Sequence, residues 1–320
     1  MKKLFILLSL IIIVNIGACT REVQNTGIIG ALHRVEYGAN VAYLFGTMHS
    51  GREGWFPLAD IVEDALYRSD VVVIEVSEYA MGVSGAIILE QVHRDVMYLP
   101  DSLTWEEYLP EDAYNHLIDV LDAWKITYSY TTNPAVFIDF LENELRMNLS
   151  DLSGAYYEDT VDGYIVNKAF ELDLPVIGLE SAEHFANIFF NLPYEVLVSR
   201  IMHFSSPEEY IKATEESTSL DDIANNYENN DFDSIIKNFA HDMIDSDESP
   251  YLTYFKDVMM NGRSVYYAKE ILRLLSETES PTTFFVAVGF SHITRSGAGE
   301  GFTDIVQQLE LAGLSVEPMW

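Results

Sequence analysis

Apolar runs along this chain repeatedly stop at a histidine or a carboxylate. Residues 28–36 alternate loosely, Gly38 and Asn40 supply turn chemistry, and residues 41–45 are apolar again, which predicts a β-hairpin. Its second arm runs into Gly46-Thr47-Met48-His49. Pro57 then precedes Leu58, Ile61, Val62, Ala65 and Leu66, which fall on one face of a helix with proline at its start. Residues 71–74 form a β-branched run long enough only for a buried strand, and Glu75 follows at once. Residues 174–179 end in the same way on Glu180, and residues 284–288 lead into Gly289-Phe290-Ser291-His292. A helix over about 301–312, closed by Gly313, and a last short strand at 314–316 complete the pattern.

Strand, helix and strand in alternation predict an α/β fold: a central, mainly parallel sheet with flanking helices. Two long helical stretches, 84–170 and 183–276, read as helical insertions into that sheet. The acid-rich segments 215–222, 225–233 and 242–248 read as solvated faces and loops, as does 148–154. Ligands of open parallel sheets gather at the carboxyl ends of the strands. Here those ends carry His49, Glu75, Glu180 and His292, a set of side chains suited to a divalent metal or to acid–base work. A glycine three residues before each histidine predicts a tight strand exit.

Several chemistries are excluded or disfavoured. No H-E-x-x-H occurs, which excludes the zincins. Gly289-Phe290-Ser291-His292 has Ile293 where a nucleophile elbow needs its second glycine, so Ser291 is a poor candidate nucleophile. The glycines at 297, 299 and 301 lack a phosphate-loop lysine and the acidic partner of a dinucleotide site. The composition, 48% hydrophobic, is that of a packed globule, yet 51 acidic residues face 18 basic ones. A net charge of −33 repels phosphate backbones and leaves no basic stripe, so no nucleic-acid partner is expected.

The amino-terminal end changes the picture again. Lys2 and Lys3 precede an apolar run at 4–16 and the small residues Gly17 and Ala18, the three zones of a secretory signal. Ile16-Gly17-Ala18-Cys19 resembles the lipobox of bacterial lipoproteins, in which the cysteine is acylated after cleavage before it. Cys19 is the sole cysteine, so no disulfide framework is available. The expected organisation is a signal peptide at 1–18, a tether at 19–27 and a single domain at 28–320, held extracytoplasmically on a membrane by its lipid anchor only.

The strand-end motifs resemble a known family. Residues 41–49, ending in Gly46-Thr47-Met48-His49, are similar to the opening motif of the TraB/PrgY/GumN family, which includes the Tiki proteases. Val73-Ile74-Glu75 fits the second motif, and Val161-Asp162-Gly163-Tyr164 with residues 175–180 fits the central block. Arg263, five residues before Ala268, matches the family arginine, and residues 286–292 match the second G-x-x-H. The usual Arg-Asn pair reads Arg263-Ser264 here. The resemblance implies a Tiki/erythromycin-esterase-like α/β fold. For the Tiki members it implies a metal-dependent peptidase needing both histidines and the glutamate. On that footing His49 and His292 hold one divalent ion (Zn, Mn, Co or Fe), with Glu75 or Glu180 as a further ligand and the other carboxylate as general base. The assignment favoured is Glu180 to the metal and Glu75 to catalysis, with Arg263 stabilising an oxyanion or holding a substrate carboxylate. The substrate is then a peptide or protein. The competing reading is a non-catalytic surface lipoprotein that sequesters a peptide signal.

Overall fold

The computed structural model describes residues 27–319 apart from 53, 81, 127–128, 149–159, 217–219, 236–248 and 295–300. The signal peptide and Cys19 lie outside the described residues, as do nearly all of the tether and most of the 148–154 loop. Six strands form one sheet: β1 (Ala31–Tyr37), β2 (Asn40–Thr47), β3 (Val71–Val76), β4 (Val176–Glu180), β5 (Thr283–Gly289) and β6 (Val316–Pro318). Their order is β4-β3-β5-β2-β1-β6. The β4–β3, β3–β5 and β5–β2 pairs are parallel, while β1 pairs antiparallel with β2 and with β6. The mainly parallel α/β sheet expected from the alternation is therefore present, with the 31–47 hairpin forming its antiparallel flank.

The registers fix where the strand ends meet. Thr47 at the end of β2 lies beside Gly289 at the end of β5, and Ile74 of β3 lies beside Ala287 of β5. The exits of β2 and β3 thus flank that of β5. The strands are apolar on both faces because helices cover both: Leu44, Phe45, Val72, Val73, Phe285 and Val286 are each fully buried. A second apolar core, built around Trp105, Leu117, Ile138, Leu197 and Ile201, belongs to the helical insertions.

Three boundaries differ from the sequence reading. The helix expected from Pro57 begins at Asp60, because Ala59 N–H is drawn into a bond with Ile28 O at 3.0 Å and keeps 57–59 extended. The C-terminal helix is Ile305–Leu311, started by Asp304, whose Oδ1 accepts from Gln307 N at 2.8 Å. The last strand lies two residues later than expected, where Val316 finds Val35 across β1. One segment is corrected in kind. Part of the 225–233 stretch belongs to the helix Leu220–Glu228, which inserts Tyr227 fully into the sheet core. The Tyr227 hydroxyl donates to Gly46 O at 2.7 Å, so an acid-rich segment contributes an anchor beneath the site.

Candidate active site

Each reactive side chain arrives from a different strand exit. β2 delivers Thr47 and His49, β3 delivers Glu75, β4 ends on Glu180, and β5 leads through Gly289 to the short helix Ser291–Thr294, which carries His292. The two G-x-x-H motifs interlock: Phe290 N–H donates to Thr47 O at 2.8 Å. Their glycines are needed for close approach. A Cβ on Gly46 would stand 2.9 Å from Phe290 Cα, and one on Gly289 would stand 3.3 Å from Glu75 Oε1 and 3.4 Å from His49 Nε2. Neither glycine has a positive φ among the described residues, so the tight-exit explanation is replaced by a steric one.

His49 is held from behind by a residue that the sequence reading gave no role. Its Nδ1 lies 2.9 Å from Asp162 Oδ2, while Thr47 Oγ1 donates to Asp162 Oδ1 at 2.6 Å. Asp162 sits in the first turn of the helix Val161–Glu171, capped by Thr160. The Asp162 carboxylate raises the His49 pKa to about 9, against desolvation and Arg263. The His49 side chain is 66% exposed, so water screens part of that effect. With Nδ1–H donated to Asp162, Nε2 is turned toward Glu75 Oε1, 3.9 Å away.

His292 is tied back in the same manner. Ser264 Oγ donates to Met260 O at 3.0 Å, so its oxygen accepts from His292 Nδ1–H at 2.9 Å. That leaves the His292 Nε2 lone pair facing Arg263 Nη1 at 3.4 Å. Ser264, which stands in place of the usual asparagine, therefore selects the tautomer of His292.

Arg263, only 4% exposed, is the hub. Its Nη2 donates to Glu75 Oε2 at 2.7 Å and to Glu180 Oε1 at 2.5 Å, and its Nε donates to Glu180 Oε1 at 3.0 Å. Tyr267 OH also bonds Arg263, and it donates to Glu180 Oε1 at 2.5 Å and Glu75 Oε2 at 3.2 Å. The rings of Phe185 and Phe189 cover the guanidinium at 5.5 and 5.1 Å. Burial alone would lower the Arg263 pKa, but Glu75, Tyr267 and Glu180 raise it. Burial alone would raise Glu75, but Arg263, and then the two imidazoles, hold it well below the usual carboxylate range.

These groups open onto a cavity of about 660 Å³, lined by His49, Glu75, Asp162, Arg263 and His292 together with phenylalanines and methionines. Glu180 does not line it. Its carboxylate is committed to Arg263 and Tyr267, with its other oxygen 3.6 Å from His184 Nε2. The structure therefore brings His49, Glu75 and His292 together and places Glu180 behind Arg263. As they stand, no group of three or more His, Cys, Asp or Glu side chains among the described residues is close enough to grip an ion. The donor chemistry nevertheless suits one. Both imidazoles have Nδ1 secured by an acceptor, the usual support of a metal-binding histidine. The space above Gly289 is bounded by Glu75 Oε1, His49 Nε2 and, at 3.9 Å, the His292 ring.

No curated protein and no solved structure matches the chain significantly. The profile of the TraB/PrgY/gumN family matches residues 31–318, which takes in all six strands and every residue of this site. The chain belongs to the TraB/PrgY/gumN family.

Proposed function

We propose that this protein is a metal-dependent hydrolase of peptides, with His49, His292 and Glu75 as the side chains that hold a divalent ion. The supporting observation is the convergence of these three groups on the space above Gly289, with both imidazoles fixed from behind. A bound ion supplies Lewis-acid polarisation of a carbonyl and activation of water. The chain supplies the rest. Asp162 and Ser264 hold Nδ1 of His49 and His292, which leaves Nε2 of His49 toward Glu75 and Nε2 of His292 toward Arg263. Arg263 presents a fixed cation at the cavity wall, where charge developing on a carbonyl oxygen is stabilised without reorganisation. Glu180 and Tyr267 hold that cation in place.

The direct test is metal content and peptide turnover of the purified mature chain and of a His49→Ala, His292→Ala double variant. Loss of both in the variant supports the shared site, and retention of both refutes it. Glu75→Gln separates two duties of one residue. Loss of metal makes Glu75 a ligand, whereas metal retained with turnover down about 10²–10⁴-fold makes it the general base. A wild-type protein that binds peptides in chelator and never cleaves them fits the sequestering reading instead.

The proposed setting is extracytoplasmic. Among the described residues no helix is long and apolar enough to cross a membrane, and acyl chains on Cys19 would tether the domain. Cys19→Ser is expected to release the protein from the membrane fraction or leave it uncleaved. Fractionation and migration unchanged from wild type would end that reading.

A further inference from the structure

The helix Ala182–Phe189 is a wall between two cavities of different chemistry. Phe185 and Phe189, one turn apart, face the first cavity beside Arg263, their rings stacked at 4.5 Å. Asn187 and Ala186, on the other face, line a second cavity of about 940 Å³. Phe190, the residue that follows the helix, lines both. Its ring meets Phe185 at 6.2 Å, while its carbonyl accepts from Asn133 Nδ2 at 2.8 Å on the side of the second cavity. Beyond it the exposed amides of Gln91, Asn187 and Asn191 share the second cavity. Each carries a donor and an acceptor on one plane, the complement of a peptide backbone, and the long 3.4 Å bond from Asn191 Nδ2 to Asn187 Oδ1 leaves the Asn187 NH₂ and the Asn191 carbonyl to face it.

We propose that the protein binds an extended peptide across the end of this helix. A bulky apolar side chain occupies the phenylalanine-lined cavity beside His49 and His292, and the adjoining backbone runs past Phe190 onto the amides of Gln91, Asn187 and Asn191. The proposal rests on the hydrolase reading and names its substrate class: peptides with an aromatic or large aliphatic residue at the reacting bond and several residues beyond it. Both cavities lie in the range that encloses a drug-sized ligand, about 300–1,000 Å³. A sugar could use amides and aromatic rings too. The first cavity, however, adds the rings of Phe185, Phe189, Phe190 and Phe255 and the side chains of Met48 and Met260 to its polar groups, and that apolar surface favours a bulky apolar side chain over a pyranose. Asp95 and Glu183 on the second cavity outnumber Arg94, whose guanidinium is paired with Glu90, and in a chain of net charge −33 they favour neutral or basic residues in the extension over acidic ones.

The test uses binding, so that it stands apart from turnover. Calorimetry is run on the full chain carrying His49→Ala and His292→Ala. The probes are a blocked tripeptide with a central phenylalanine, a decapeptide that extends it, and the same decapeptide with aspartate for phenylalanine. The decapeptide is expected to bind at least about tenfold tighter than the tripeptide, and the aspartate probe to lose binding. Adding Gln91→Ala or Asn187→Ala should weaken the decapeptide by about three- to tenfold each and leave the tripeptide unchanged, with melting temperatures matching the parent variant. Equal affinity for short and long probes, amide variants that affect both or neither, or no decapeptide binding at all would overturn the proposal. Length-dependent binding without turnover in the wild type would refute the hydrolase reading and keep the peptide cleft. Turnover without length dependence would do the reverse.

Discussion

Asp162→Asn is the most informative single change in this site, because it alters one atom and reverses a hydrogen bond. In the wild type, Oδ1 accepts from Thr47 Oγ1 at 2.6 Å and Oδ2 accepts from His49 Nδ1–H at 2.9 Å. Asparagine keeps its carbonyl toward Thr47 and turns its NH₂ toward His49. Nδ1 must then accept, and the imidazole proton moves to Nε2, where no lone pair remains for a metal. Metal affinity is expected to fall about 10–100-fold, as for other losses of a histidine's supporting carboxylate. The charge change adds a second readout. His49, raised to about 9 chiefly by Asp162, should return toward its ordinary value of 6.5. The full shift corresponds to about 3 kcal/mol, and exposure of the ring reduces this to about 1–2 kcal/mol. A raised histidine stabilises the fold fully below its unfolded pKa, and the contribution disappears as pH rises through its folded value. The stability gap between wild type and Asp162→Asn should therefore be widest near pH 6 and close as pH passes about 9. NMR titration of His49 in the metal-free protein measures the shift directly. An unchanged titration midpoint, or metal affinity equal to wild type, would refute the role assigned to Asp162.

Gly289→Ala places a methyl 3.3–3.4 Å from Glu75 and His49 and should cost metal binding and turnover while the melting temperature stays near wild type. Gly46→Ala, 2.9 Å from a backbone atom, should lower the melting temperature instead, so matching behaviour of the two variants would contradict the steric argument. Glu180→Gln keeps the shape but removes one of two carboxylates on a buried guanidinium, for an expected loss of about 2–4 kcal/mol in urea unfolding; a loss below about 0.5 kcal/mol would show that Glu75 alone suffices. His33, buried in β1, is lowered to about 4 by desolvation, against a backbone hydrogen bond with Ala31. Its neutral form therefore contributes stability above pH 6.5 that is lost as pH falls toward 4. His33→Gln should flatten this acid limb by up to about 3 kcal/mol, and identical acid limbs would exclude His33 as its source.

The rim of the site was legible in the sequence because each strand is a short apolar run, and a run that stops on His or Glu marks its own exit. The pattern gives no strand order, so it could not tell that β5 lies between β2 and β3, or that Glu75 faces the histidines while Glu180 is turned to Arg263. Both are glutamates after an apolar strand, and only tertiary packing separates them. Asp162 was visible within a family motif, but an acidic residue in a first helical turn is also an ordinary partner of the helix dipole. Its meeting with Thr47 and His49 spans more than a hundred residues. Tyr227 was hidden by its acidic neighbours. With Ala224 it forms a narrow buried stripe, flanked by half-buried Ile223, on a helix that otherwise carries Asp, Asn and Glu from residue 221 onward.

The charges of the site bear on its chemistry independently of the histidine geometry. Glu75 and Asp162 bring two carboxylates to the wall of one cavity, Glu180 stands behind it, and the Arg263 guanidinium lies among the three. Arg263 cannot satisfy all three. It contacts Glu75 and Glu180, while the Asp162 oxygens face the Thr47 hydroxyl and His49. Arg263 and the two imidazoles hold the Glu75 carboxyl well below the usual carboxylate range, against burial, so it stays an anion that favours cations beside it. A proton on His49 supplies one such charge, which is why its pKa rises. On the proposed reading, a divalent cation beside Glu75 would answer the same need more strongly and would compete with that proton for Nε2. At this cavity the acidity of a chain of net charge −33 is concentrated and partly matched by Arg263 and His49, and the proposed metal reading rests on that combination rather than on net charge alone.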